Sequence, residues 1–88
     1  MIRRRLLIHG RVQGVFFRGT LRRLAEQEGV AGWARNTWDG TVEAVLEGEE
    51  DAVDRLVAFA HEGPEGAQVE RVESSEEEPE GLSGFAIR

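Results

Sequence analysis

Eighty-eight residues suffice for one small domain, which buries only roughly 60–65% of the surface its unfolded chain exposes. With no cysteine and two histidines, disulfide staples and thiolate chemistry are excluded and a structural zinc site is disfavoured. A formal charge of −6 repels a polyanion at long range, which weighs against nucleic acid as a partner.

Ile2 to His9 reads as a strand, with Ile2, Leu6 and Ile8 on one parity and Arg3, Arg5 and Leu7 on the other. Arg4 breaks the apolar parity and puts the start of this strand at the sheet margin. Arg3-Arg4-Arg5 reads as a solvated strand face rather than a docking patch, and His9 as a strand-end histidine with ordinary hydrogen bonding rather than a catalytic base. Gly10-Arg-Val-Gln-Gly-Val-Phe-Phe-Arg18 follows. It lies between the strand and an amphipathic pattern, which makes it a strand-to-helix turn. Gly10 and Gly14 allow positive φ or a close approach to a ligand. A turn of this kind points backbone N–H groups inward with the helix dipole behind them, and Arg18 brings a guanidinium fork to its mouth. The residues describe an anion cradle suited to phosphate. The Gly-Lys-Ser/Thr of a nucleotide-binding P-loop is missing, so nucleotide is not indicated.

A helix is expected from about Arg18 to Glu28 on the spacing of Phe17, Leu21, Leu24 and Ala25, with Gly29 as its C-cap. Val30 to Thr37 alternates as a strand, Asp39-Gly40 signals a turn, and Thr41 to Glu47 sets Val42, Ala44 and Leu46 against Glu43 and Glu47, which makes a hairpin. Asn36 stands where the strand meets its turn, and its amide offers donors and an acceptor together, as holding a water in one direction requires. A second helix opens on Glu49-Glu50-Asp51, buries Val53, Leu56, Val57 and Ala60, and stops at Gly63-Pro64. Gln68 to Glu73 is a weaker strand, Ser74 to Gly81 an acidic solvated loop, and Phe85 to Ile87 a short closing strand. The order β-α-β-β-α-β predicts a ferredoxin-like α+β sandwich: an antiparallel sheet, both helices on one face, and a short extra C-terminal strand, all one domain over residues 1–88. Arg11 and Arg35 either add positive potential near the cradle or are simply exposed. Trp33 and Trp38 read as hairpin packing. Phe16 and Phe17 beside basic residues faintly suggest an RNA-stacking strand, but the helical spacing of Phe17 and the acidic surface oppose it. The longest uncharged apolar run is far below the roughly 18 residues of a membrane span, and no signal peptide is apparent. The expectation is a soluble cytoplasmic monomer.

Two segments together resemble the acylphosphatase family. The pattern Gly-x-Val-Gln-Gly-Val-x-Phe/Tyr-Arg is met by Gly10, Val12, Gln13, Gly14, Val15, Phe17 and Arg18. The second, built on an aromatic residue after glycine and an asparagine three residues further on, is met by Gly32, Trp33, Ala34, Arg35, Asn36, Gly40, Val42 and Gly48. The resemblance implies hydrolysis of the carboxyl–phosphate bond of acyl phosphates to a carboxylate and inorganic phosphate, without metal or cofactor. It implies that Arg18 binds the phosphate, that Asn36 orients the attacking water, and that the backbone of Arg11, Val12, Gln13, Gly14, Val15, Phe16 and Phe17 wraps the phosphoryl oxygens. The alternative is a non-catalytic phosphate-binding regulatory module, since the same fold and motif occur as an accessory domain of a larger carbamoyl-transferring protein. The short length of this chain favours the enzyme.

Overall fold

The computed structural model describes residues 1–88 as seven elements. In chain order they are β1 (Ile2–Arg11), α1 (Phe17–Glu28), β2 (Ala31–Asn36), β3 (Val42–Gly48), α2 (Glu50–Glu62), β4 (Gln68–Glu77) and β5 (Phe85–Ile87). The strands form one sheet in the order β4-β1-β3-β2-β5. Both helices cover one face and bury their stripes, Phe17, Leu21 and Ala25 from α1 and Ala52, Val53, Leu56 and Ala60 from α2. Against them lie Leu6, Ile8, Ala34, Val42, Ala44 and Leu46 of the sheet, which together form the apolar core. Gly29 ends α1 at φ 71 and ψ 28 in the left-handed region, as a helix C-cap glycine does.

The sheet departs from the expected antiparallel arrangement: β5 runs parallel to β2, so the sheet is mixed. The chain leaves β4 at one edge, crosses below the sheet and re-enters beside β2 at the end where β2 begins. Glu47 holds that crossing. Its carboxylate, 1% exposed, accepts the backbone N–H groups of Glu80, Gly81 and Leu82 at 2.8, 3.1 and 3.0 Å. As a result the C-terminal ends of β1, β2 and β5 meet at one end of the sheet, beside the N-terminus of α1.

The acidic segment is also more ordered than a solvated loop. β4 runs on to Glu77, and Ser74, Ser75, Glu76 and Glu77 pair with Leu6, Arg5, Arg4 and Arg3. Charge explains the extension, because Glu77 takes Arg3 at 2.8 Å and Arg5 at 2.6 Å. Arg3 is correspondingly not a solvated strand residue: it is 4% exposed and bonds Glu47 at 2.7 Å. Arg5 and Arg35 share Glu43 at 2.5 and 2.6 Å. The guanidinium groups of Arg5 and Arg88 lie 5.6 and 4.4 Å from the centre of the Trp33 ring. The face of the sheet without helices is thus roofed by ion pairs over one indole.

Candidate active site

The loop from Val12 to Phe16 joins β1 to α1, and its backbone conformation sets the site. Gly14 takes φ 76 with open space where a β-carbon would stand, and Phe16, the N-cap of α1, takes φ 60 and ψ 32. Alternation of hand along such a turn points successive N–H groups to one side. None of the N–H groups from Val15 to Gly19 makes a well-formed hydrogen bond within the protein, so a run of donors is left for a ligand. The first turn of α1 holds no acidic residue and no side chain caps it, whereas α2 opens with Glu50 and Asp51. The positive end of the α1 dipole is therefore uncompensated, which favours a bound anion.

Gly10 takes the positive φ expected of it, but for a packing reason. It sits at a bulge between β1 and β4 with φ 124, and a β-carbon there would lie 2.1 Å from the carbonyl oxygen of Gln68. Its glycine serves the close approach of two strands and not a ligand.

A cleft of about 280 Å³ is lined by Val12, Gly14, Phe16, Phe17, Arg18, Gly19, Asn36 and Ile87. It brings Arg18 and Asn36 together across the end of the sheet. Arg18 is in no ion pair, and its Nη1 donates a long bond of 3.3 Å to the Arg88 carbonyl. Arg3, Arg5, Arg35 and Arg55 are all bound to carboxylates, so Arg18 keeps its charge for the cleft. The carboxamide of Asn36 makes no hydrogen bond inside the protein, and both its ends are available to water. It belongs to the parity of β2 that faces the helices, since Asn36 and Ala34 pair with Val42 and Ala44 of the core.

Arg11, Gln13 and Val15 do not line the cleft. Arg11 is exposed at the end of β1, and Val15 packs against the edge of the core. Phe17 is buried, its ring 5.6 Å from that of Phe59. Gln13 turns away and its Nε2 donates to the carbonyls of Thr37 and Thr41 at 2.8 and 2.9 Å, bracing the hairpin turn that follows Asn36. Within that turn Asp39 accepts bonds from Thr37 and Thr41, which hold its carboxyl below the usual range. Arg35 points to the other face and is neutralised by Glu43, and His9 bonds Glu73 on that face too. Sequence reasoning missed Gln13 as a brace and Ile87 and Gly19 as cleft walls. No local pattern betrays these roles, because each depends on which strand ends adjoin. A wider depression of about 490 Å³ behind the hairpin shares Asn36, but its charges, Arg35 with Glu43 and Asp39 with the threonines, already satisfy one another. No group of three or more His, Asp or Glu is placed to hold a metal ion.

Residues 4–87 match the protein-family model for acylphosphatase. The chain belongs to the acylphosphatase family. A curated acylphosphatase of Thermococcus kodakarensis is 55% identical over 86 residues, 98% of this chain and 94% of that one. An acylphosphatase of Thiobacillus denitrificans is 58% identical over 83 residues, 94% of this chain and 92% of its own. Among solved structures, an acylphosphatase from Bacillus subtilis superposes with a TM-score of 0.96 at 35% identity, over 100% of this chain and 99% of that one. The acylphosphatase fold thus accounts for the ferredoxin-like sandwich described above.

Proposed function

We propose that this chain hydrolyses acyl phosphates to a carboxylate and inorganic phosphate, with Arg18 and the loop amides holding the phosphoryl group and Asn36 directing water. The observation that carries the reading is the shared cleft: one unpaired guanidinium, a run of unbonded N–H groups and one free carboxamide converge on it. Attack of water on phosphorus forms one P–O bond and breaks the bond to the carboxyl oxygen, whose electron pair departs with the carboxylate. That leaving group has a pKa of roughly 4, so it needs no protein acid. The proton of the water passes to a phosphoryl oxygen of the substrate itself. Positioning and charge stabilisation then supply the acceleration, as suits a loose phosphoryl-transfer transition state. The residues present suffice for this without metal or cofactor.

In this reading the enzyme acts in the cytoplasm as a monomer on a small molecule. The net charge of −6 opposes a nucleic acid, and no helix is long and apolar enough to cross a membrane. Release of phosphate from benzoyl phosphate tests the reading. Wild type should turn over, Arg18→Ala should not, and Arg18→Lys, which loses the two-pronged contact, should fall by orders of magnitude. Turnover near wild type in either variant rejects the assignment. Phosphate bound without turnover by the wild type identifies a non-catalytic anion-binding module instead.

A further inference from the structure

The proposed reaction leaves one exposed aromatic ring in the cleft without a task. Phe16 is the one residue other than glycine with positive φ, a conformation disfavoured for a bulky side chain and found where function demands it. It is 72% exposed. Its ring lies over the first turn of α1 at Gly19, where a β-carbon would come 2.3 Å from the ring's ζ-carbon. Glycine at 19 therefore makes room for the ring, and the left-handed turn at Phe16 holds it at the mouth of the cleft. Across from it, Ile87 presents a 37% exposed side chain from β5.

In-line displacement puts the leaving group on the far side of phosphorus from the attacking water. With water held by Asn36, the acyl group lies on the far side of phosphorus in the same cleft, whose lining includes the exposed Phe16 ring. We infer that the Phe16 ring is the acyl-group subsite, and that it selects acyl phosphates with an aromatic or bulky apolar body over acetyl phosphate. The acyl group covers a ring otherwise left in water and meets it by stacked or edge contact. Phosphate recognition, common to every acyl phosphate, carries no such selectivity. This inference rests on the proposed function.

The test compares kcat/KM for benzoyl phosphate and acetyl phosphate in wild type, Phe16→Asn and Phe16→Leu. Asparagine tolerates the left-handed region, so Phe16→Asn keeps the turn while removing the ring. The benzoyl-to-acetyl ratio cancels any damage to the phosphate cradle, since both substrates share it. The ratio should fall about tenfold in Phe16→Asn and less in Phe16→Leu, which retains an apolar body. A ratio in Phe16→Asn within about twofold of wild type overturns the subsite. If wild type hydrolyses neither substrate, the proposed function itself fails. If it hydrolyses both and the ratio does not move, only the acyl subsite fails.

Discussion

Asn36 ends β2 just before the hairpin turn, Gln13 braces that turn from the loop before α1, and kinetics can separate the two duties. Asn36 reaches the cleft with an amide that no protein group occupies. Replacing it by alanine should lower kcat while competitive inhibition by phosphate stays close to wild type. Equal weakening of both makes Asn36 a binding residue. Gln13 never reaches the cleft, and its two bonds fix the turn after Asn36 against the loop before Arg18. Gln13→Ala should lower kcat roughly ten- to hundredfold with a smaller change in KM, because a small misplacement of a directing group is costly to rate. A variant that loses stability in urea but keeps kcat shows the brace to be merely structural. Both residues stand out in the sequence as members of long patterns. Their separate duties were not legible there, since the partners of Gln13 are backbone carbonyls some two dozen residues away.

Among the elements, β3 is the one that most decides where the others go. It pairs with β1 and β2, faces the core with Val42, Ala44 and Leu46, and turns Glu43 and Glu47 to the other side. Alternation in the sequence set Glu43 and Glu47 against the apolar residues of this strand but did not show that both are buried as well. Burial pushes the Glu47 carboxyl up, yet bonds from the Glu80 N–H, Arg3 and the Leu82 N–H outweigh it and hold it below the usual carboxylate range. Glu47→Gln leaves the Arg3 guanidinium buried beside a neutral amide and loosens the crossing that delivers β5. It should cost about 3 kcal/mol in urea unfolding, the usual scale for removing one partner of a buried pair. A loss no larger than that of an exposed substitution disproves the linkage. β4 illustrates the same limit: Val69 and Val72 marked its start, but its last residues are strand only because Arg3 and Arg5 stand opposite.

Across the whole molecule, the ion-paired face makes stability depend on acid. Bonds from Arg5 and Arg3 hold Glu77 down at about 2 against an ordinary 4.5. Glu43, pushed up by burial, is brought below its ordinary value by Arg35 and Arg5. Since these carboxyls have lower pKa values folded than unfolded, their stabilisation is complete above about pH 4.5 and is lost as pH falls toward about 2. The thermal midpoint should hold steady near neutrality and drop through that acid window. A midpoint unchanged from pH 5 down to about 2.5 contradicts the role given to these pairs.

Local patterning alone established the number and kind of elements, the apolar stripes of both helices, the hairpin, and the two segments that carry the family's residues. These are consequences of short-range periodicity and of turn chemistry, which a chain displays before it folds. Folding settled the parallel entry of β5, the pairing of Arg3, Arg5 and Arg35 with Glu43, Glu47 and Glu77, the strand-packing duty of Gly10, and the meeting of Arg18 with Asn36. Each of these joins groups far apart along the chain. Which distant groups meet follows from sheet order and register, and no local pattern encodes those.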